Sequence, residues 1–458
     1  MFKSILFSIL LLLPVSLYAD ESPQVHEYVL KNGLKVIVKE DHRAPVVVAQ
    51  VWYKVGSSYE HNGITGISHV LEHMMFKGTR KHPAGEFSRI ISENGGRENA
   101  FTGRDYTAYF QQLEKSRLKV SFELESDRMR NLLLQKEEFE KEVQVVMEER
   151  RLRTEDDPQS LTYEQFTATA FVNNPYHHPV IGWMDDLENM TVDDLRAWYI
   201  KWYAPNNATL VVVGDVDPGE VYKLAKKYFG PLKPSNLTPV KPRKETKQLG
   251  ERRIVVKVPA ELPYILMGYK IPVLNTAEES WQPYALEVLA GVLDGGDSAR
   301  FAKELIRDKQ IAANAGAGYS MTSRSDDLFL LDGTPARGHE ISEIEDALRA
   351  QIKRLHNTLV TADELARIKA QVIATNVYER DSVFYQAMQM GTFETVGLDW
   401  RLLDEYVERI QEITPEQVQQ VARKYLIEDN LTIAVLEPLA LENKPVRRPA
   451  VSGGRHDF

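Results

Sequence analysis

Two histidines and a glutamate in the run His69-Val70-Leu71-Glu72-His73 have the types and spacing needed for metal-dependent hydrolysis. Residues four apart lie on the same face of a helix, so His69 and His73 can bind one divalent ion from adjacent turns. Glu72 then lies beside the open side of the ion, where it can accept a proton from a metal-activated water molecule. The pattern therefore predicts a hydrolytic zinc site with Glu72 as its general base.

The motif alone does not establish the site. With 11 His and 66 acidic residues, a match to His-x-x-[Asp/Glu]-His arises by chance in about 4 of 100 such chains. The alternative is a pair of structural histidines on an amphipathic helix. A third ligand would distinguish the two interpretations.

The third ligand is expected in the acidic segment 137–155, which has the pattern of a helix. Glu142 and Glu149 are seven residues apart and therefore share one face. Apolar residues lie between them, so this face is expected to turn inward. Periodicity leaves Glu148 and Glu149 as alternative ligands. The competing interpretation of the whole segment is a solvated charged face.

The composition excludes several other kinds of site. The 458 residues include no cysteine, so disulfides, zinc fingers, iron–sulfur clusters and thiol catalysis are ruled out. The formal net charge of −10 argues against a nucleic-acid partner. Any metal must therefore be held by His, Asp or Glu.

The first 19 residues have the pattern of a secretory signal peptide. Lys3 supplies a positive start, residues 5–15 are mostly apolar, and cleavage is predicted after Ala19. The alternative is an uncleaved membrane anchor, but the apolar run is short for a full span. The chain is therefore predicted to be exported, without a stable membrane anchor, and to be periplasmic if its source is a Gram-negative bacterium.

The elements that must position the candidate residues are predicted from periodicity. Two strands flank the turn at Asn32-Gly33, which is a strong hairpin signal. Segment 66–76, which carries the two histidines, has helical spacing, whereas segment 101–113 alternates like a strand. Segments 118–134 and 136–154 are predicted to be long helices.

The chain also shows signs of internal duplication. Four prolines between residues 231 and 242 predict a stiff linker between domains. A capped helix that begins near Thr191 is followed by a buried strand, and the same order follows Thr414. The predicted units are homologous halves at 24–230 and 251–440, a linker at 231–250, and a loose tail at 441–458.

Several segments match one family pattern. They are the motif itself, the run Val145-Val146-Met147-Glu148-Glu149, and segments 73–79, 99–102 and 203–207. On these matches the chain resembles the pitrilysin family of zinc peptidases, which includes insulin-degrading enzyme and the mitochondrial processing peptidase. In that family the inverted motif His-x-x-Glu-His is followed after about 75 residues by a glutamate ligand. The similarity extends over nearly the whole chain after the predicted signal peptide.

The resemblance implies a complete metal site. It implies one zinc ion per chain, held by His69, His73 and Glu149, and so favours Glu149 as the third ligand. It also places Glu142 in a supporting position, where its carboxylate orients a ligand or the water.

The resemblance further implies how a substrate binds. Two similar halves form a clamshell, and an extended peptide adds as a strand to the edge that begins at Asn99-Ala100-Phe101-Thr102. Backbone hydrogen bonding of this kind makes few demands on sequence, which suits unfolded peptides. The alternative is an ordinary core strand.

The second half departs from the family pattern at one point. Active members supply an Arg and, seven residues later, a Tyr that contact the substrate near the metal. Arg307 matches the first position, but Asn314 occupies the second, and Tyr319 is out of register. We therefore expect a dimer, with the specific hypothesis of a heterodimer in which a related subunit supplies the Arg/Tyr pair.

Together these features predict an α+β zinc endopeptidase that hydrolyses extended or unfolded peptides. The alternative is a non-catalytic assembly or chaperone subunit of a related complex, because a fold can persist where its chemistry is lost. A metal storage or transport protein would leave Glu72 without a role.

Overall fold

The computed structural model describes residues 24–441. The predicted signal peptide at 1–19 and residues 442–458 of the predicted tail lie outside this part of the chain. Within residues 24–441, no helix is both long enough and apolar enough to cross a bilayer.

The first half is built on a six-stranded sheet. Its strands are β1 (Val25–Val29), β2 (Lys35–Glu40), β3 (Val46–Tyr53), β4 (Arg97–Thr102), β5 (Thr107–Glu114) and β6 (Ala208–Gly214). Their order is β1-β2-β6-β3-β5-β4, and only β2 and β6 pair in parallel. β1 and β2 form the predicted hairpin. β3 and β6 are buried along almost their whole length because they lie in the middle of the sheet, whereas β4 is an edge strand.

The second half repeats this topology with five strands. They are β7 (Arg252–Pro259), β8 (Tyr264–Ile271), β9 (Ala312–Gly318), β10 (Asp327–Pro335) and β11 (Leu431–Leu439). Their order is β7-β11-β8-β10-β9, and only β7 and β11 pair in parallel. These strands correspond in turn to β2, β6, β3, β5 and β4. The prediction of an α+β fold in two similar halves, each with a mainly antiparallel sheet packed with helices, is confirmed.

Helices cover the faces of both sheets. In the first half they are α1 (Ile67–Met74), α2 (Glu86–Glu93), α3 (Leu118–Asn131), α4 (Lys136–Arg150), α5 (Pro158–Ala170), α6 (Met184–Asn189), α7 (Val192–Trp202) and α8 (Pro218–Tyr228). In the second half they are α9 (Gln282–Asp294), α10 (Ile341–Asn357), α11 (Ala362–Glu379), α12 (Val383–Val396), α13 (Leu402–Glu412) and α14 (Pro415–Tyr425). Within the described part of the chain, π-helical turns lie at Arg151–Glu155, directly after α4, and at Phe301–Asp308.

Each half has its own apolar core. One core is drawn from residues 30–229 and the other from residues 265–435. Residues 231–250, between the two, form neither helix nor strand. Capping boxes begin α7 at Thr191 and α14 at Thr414, the two positions at which the sequence predicts capped helices.

Each half also covers the sheet of the other half with one helix. α5 packs on β7, β8 and β11, whereas α12 packs on β3 and β6. Phe166 of α5 lies over Gly268 of β8, and Gly391 of α12 lies against Trp52 of β3. A Cβ at Gly391 would lie 2.1 Å from the Trp52 ring, and one at Gly268 would lie 2.5 Å from the Phe166 ring. Only glycine permits these close approaches. This exchange of α5 and α12 between the two sheets joins the two halves.

Candidate metal centre

The motif lies on α1, and two buried carboxylates fix the start of this helix. Glu60 accepts hydrogen bonds from the backbone N–H groups of Gly66 at 2.7 Å and Ser68 at 2.9 Å. Asp186 accepts one from the backbone N–H of Thr65 at 3.1 Å. Gly66 has a φ of 85°, and a Cβ there would lie 2.6 Å from a backbone carbonyl oxygen of a neighbouring loop. The helix therefore begins at a defined place and in a defined direction.

α4 packs against α1 and brings Glu149 to the two histidines. Glu149 Oε2 lies 3.8 Å from His69 Nε2 and 3.5 Å from His73 Nε2. The two imidazole rings are 4.9 Å apart and inclined at 79°. Glu148 instead points outward and pairs with Arg151 at 3.1 Å. The structure thus brings His69, His73 and Glu149 together and leaves Glu148 at the surface.

The three side chains fit a zinc ion. One potential ligand atom from each lies within 4.8 Å of those of the other two. Ligands at 2.0–2.1 Å from a tetrahedral zinc ion are roughly 3.3 Å apart, so small side-chain movements would complete the geometry. Two imidazole nitrogens and one carboxylate oxygen also form a donor set typical of catalytic zinc, with a fourth position open. Across residues 24–441, no other group of His, Asp or Glu has this spacing.

Further charged groups hold the ligands in place. Glu142 Oε2 lies 3.3 Å from His73 Nδ1, and Glu142 Oε1 accepts from Lys77 Nζ at 2.5 Å. The other oxygen of Glu149, Oε1, pairs with Arg153 Nη1 at 2.9 Å. Arg153 lies on the π-helical turn that follows α4. These contacts place Glu142 where it can orient His73, and they leave Glu149 Oε2 facing the histidines.

The candidate ligands shift one another's pKa values. Burial acts to raise the pKa of Glu149, but its hydrogen bond with His73 and the charges of both histidines outweigh burial and lower the pKa to about 2. Burial acts to lower the pKa of His73, but its contacts with Glu142 and Glu149 raise it to about 9. A metal ion that binds here must therefore displace a proton from His73, and it takes over as the positive partner of the carboxylates.

Glu72 lies beside the ligands and is only 4% exposed. Burial raises the pKa of its carboxyl group to about 7, although a hydrogen bond from Thr102 and the charge of His73 act in the opposite direction. Thr102 Oγ1 donates this hydrogen bond to Glu72 Oε2 at 2.5 Å. A carboxyl group with a pKa near neutrality can both accept and return a proton near pH 7.

The site opens into a cavity of about 540 Å³ that is lined by both halves. One wall is the end of β4, with Asn99, Ala100, Phe101 and Thr102, the four residues predicted to bind substrate. The second half contributes Phe384 and Met388 of α12. Among the described residues β4 pairs with β5 alone, so its other edge can accept an added strand.

The other predicted substrate contact, Arg307, does not line this cavity. It is exposed on the π-helical turn Phe301–Asp308, and Asn314 is exposed on β9. Tyr319 instead donates from its hydroxyl to the carbonyl oxygen of Pro272 at 2.8 Å. Among residues 24–441, Arg153 is the single arginine in the cavity wall, and no tyrosine lines it. The described chain therefore brings no Arg/Tyr pair to the metal centre.

A second pair of histidines lies away from the site. The ring centroids of His177 and His178 lie 4.0 Å apart, with the planes inclined at 60°, in the segment between α5 and α6. Burial and the neighbouring charge of His177 lower the pKa of His178 to about 4. Neither histidine belongs to the group of residues with metal-ligand spacing.

Two family models match consecutive parts of the chain. Residues 35–183 match Insulinase (Peptidase family M16), and residues 189–372 match the Peptidase M16 inactive domain. The zinc protease PqqE of Helicobacter pylori is 34% identical over 436 residues, which cover 94% of this chain and 97% of that protein. The metal centre lies within the part that matches Insulinase.

Solved structures agree with this match. The crystal structure of a protease from Helicobacter pylori has a TM-score of 0.86 and 33% identity, and the match covers 91% of this chain and 100% of that one. The first half of the periplasmic protease PqqL from Escherichia coli has the same fold, with a TM-score of 0.74 at 21% identity and coverage of 91% and 94%. The chain spans only 49% of the longer PqqL chain. This protein belongs to the M16 peptidase family, the pitrilysin family that its motif resembles.

Proposed function

We propose that this protein is a zinc-dependent endopeptidase that hydrolyses extended or unfolded peptides. The observation that carries the proposal is the convergence of His69, His73, Glu149 and Glu72 in one cavity that is walled by an open strand edge. The name of the Helicobacter pylori relative, a zinc protease, supports the same assignment.

Each residue of the site has a separate role in this proposal. His69, His73 and Glu149 would hold the zinc ion, which when bound polarises the peptide carbonyl and lowers the pKa of water. Glu72 accepts a proton from the attacking water and returns it to the leaving amine. Glu142 keeps the His73 ring oriented through its Nδ1 atom.

The shape of the site favours extended substrates. A peptide that adds to the free edge of β4 satisfies its own backbone groups through those of the strand, so its side chains need not be specific. A segment that is already paired within a folded protein has no free backbone groups to offer. The side chains at 99–102 are small or intermediate in size except for Phe101, which leaves room along the edge.

The direct test is hydrolysis of an unstructured peptide with an internal quencher. We expect cleavage that is abolished by a zinc chelator and restored by zinc, but not by magnesium, because the donor set favours zinc. A disulfide-stapled folded form of the same peptide is the matched substrate control and should resist cleavage. Hydrolysis that persists after complete zinc removal would contradict the proposal.

We also propose that the active form is a dimer with a related subunit that supplies the missing Arg/Tyr pair. Support comes from the exposed position of Arg307 and from the absence of a tyrosine in the described cavity wall. The length of PqqL gives further support, because this chain corresponds to only 49% of it. A second chain would take the place of the remaining half.

The proposed location is outside the cytoplasm, and the periplasm if the source is a Gram-negative bacterium. The pattern of residues 1–19 supports this proposal. PqqL from Escherichia coli, which shares the fold, is described as periplasmic.

A further inference from the structure

Thr102 lies where the edge strand meets the motif helix. Side chains alternate along β4, so neighbouring residues face opposite sides of the sheet. Ala100 packs in the first core, on the side of α1, whereas Phe101 packs against Trp52, with ring centroids 5.3 Å apart, on the side covered by α12. Thr102 returns to the side of α1, and its hydroxyl reaches Glu72 there.

The strand end that carries Thr102 is well anchored. Thr102 is the cross-strand partner of Thr107 on β5, and Gly103 donates its backbone N–H to the carbonyl oxygen of Tyr106 at 2.8 Å in the connecting turn. The hydroxyl of Thr107 is buried and donates to the carbonyl oxygen of Val55 at 2.9 Å. The Thr102 hydroxyl is therefore presented from a fixed point.

The two carboxylate oxygens of Glu72 have different environments. Oε2 accepts the hydrogen bond from Thr102. Among residues 24–441, the structure shows no hydrogen bond to Oε1. The terminal torsion of a glutamate is broad, so a carboxylate without such a contact takes many orientations. The hydroxyl thus holds one oxygen and leaves the other free to accept a proton.

We propose that Thr102 is a positioning residue that holds the Glu72 carboxylate with Oε1 as the proton acceptor, an inference that rests on the proposed function. The sequence predicts Thr102 as a substrate contact, whereas its side chain contacts the general base. Thr102 also belongs to the strand edge that is proposed to receive the peptide. One strand therefore positions both the substrate backbone and the base that acts on the attacking water.

Two substitutions distinguish the effect of the Thr102 hydroxyl from the effect of the side-chain shape. Thr102→Val keeps the β-branched form and removes the hydroxyl, whereas Thr102→Ser keeps the hydroxyl and removes a methyl group. Both are assayed as zinc-loaded full chain, together with any subunit that co-purifies. We expect Thr102→Val to lower kcat about 10- to 100-fold. This loss is part of the rate enhancement of about 10²- to 10⁴-fold that a positioned general base supplies. KM should change less than about twofold, and Thr102→Ser should keep kcat within about threefold of the parent.

Crystal structures of the two zinc-loaded variants provide a readout that does not depend on activity. The Glu72 carboxylate should take a new or mixed orientation in Thr102→Val and the parent orientation in Thr102→Ser, with zinc present in both. Parent kcat in Thr102→Val, a change in KM alone, or an unchanged Glu72 orientation without the hydroxyl would each overturn the proposal. Failure of the proposed function would appear instead as a parent chain without zinc-dependent hydrolysis, and the Glu72 orientations would still decide the role of Thr102.

Discussion

Glu148 and Glu149 are adjacent in the sequence, but α4 turns them to different surroundings. The side chain of Glu148 is 50% exposed, whereas that of Glu149 is 16% exposed and faces two imidazoles. An exposed ion pair such as that of Glu148 with Arg151 contributes little to the stability of the fold. A carboxylate held against two histidines is suited to share a cation with them. Metal content should therefore distinguish the two glutamates.

We predict that Glu149→Gln lowers the affinity for zinc by about tenfold or more, because the amide replaces an anionic ligand with a neutral one. Glu148→Gln is the matched control and should retain one zinc ion per chain. Elemental analysis of both proteins after dialysis against a weak chelator measures the difference. Full zinc content in Glu149→Gln would contradict the ligand assignment.

The sequence could predict the residues of the site that share a local spacing. His69 and His73 could be predicted because they lie four positions apart on one helix. Sequence reasoning missed Arg153, although it lies four residues after Glu149, a spacing that pairs helical side chains. It also missed Lys77, which lies beyond the end of α1 and pairs with Glu142 of α4, so no local spacing predicts its role. Glu60 has no such signal, because its partners are the backbone N–H groups at the start of α1.

Among the elements, each exchanged helix and the sheet beneath it carry residues of complementary size at equivalent positions. Trp52 pairs with Thr209 of β6, and Gly268 pairs with the equivalent Thr432 of β11. Phe166 and Gly391 are each the ninth residue of their helices. In both contacts, a large aromatic residue of one half therefore packs against a glycine of the other half. Packing each helix on the sheet of its own half would set two rings against each other in one half and leave a gap in the other.

We predict that Gly391→Ala lowers the free energy of unfolding by about 1–3 kcal/mol, because the added Cβ would overlap the buried Trp52 ring. Thr392→Ala, at the next and half-buried position of α12, is the control and should change it by less than about 1 kcal/mol. Urea denaturation followed by circular dichroism compares the two. Equal stability of Gly391→Ala and the parent chain would show that α12 does not depend on this close approach.

The sequence predicted most elements from periodicity but could not predict the exchange of helices. Helix 136–154 was expected as one element, whereas the structure ends α4 at Arg150 and continues in the π-helical turn Arg151–Glu155. α12 packs on strands more than 150 residues away in the chain, and no local pattern encodes so distant a partner. The similarity of the two halves, by contrast, is predicted by the helix and strand that recur at the end of each half, and the matching strand orders agree with it.

At the scale of the whole molecule, the two halves share a topology but not a function. The metal ligands, Glu72 and the open strand edge all belong to the first half. Within the described chain the second half contributes Phe384 and Met388 to the cavity wall, and no basic or phenolic group. This composition of the wall supports the proposal that a second chain completes the surface on which catalysis depends.

We predict that the purified chain hydrolyses an unstructured peptide slowly and that the related subunit raises kcat/KM by about 100-fold, because added donors stabilise charge in the transition state. The control is the same subunit with its matching Arg replaced by Ala, which should still associate. Light scattering during gel filtration establishes the assembly. Full activity of the chain as a monomer would contradict this prediction.

The substitution Glu72→Gln tests whether Glu72 is the proton acceptor of a zinc peptidase. Zinc content and hydrolysis of the unstructured peptide are measured on the same preparations of the variant and the parent. We predict one zinc ion per chain in both proteins, and a kcat about 10²- to 10⁴-fold lower in the variant. Cleavage at the parent rate by the zinc-loaded variant would contradict this role of Glu72.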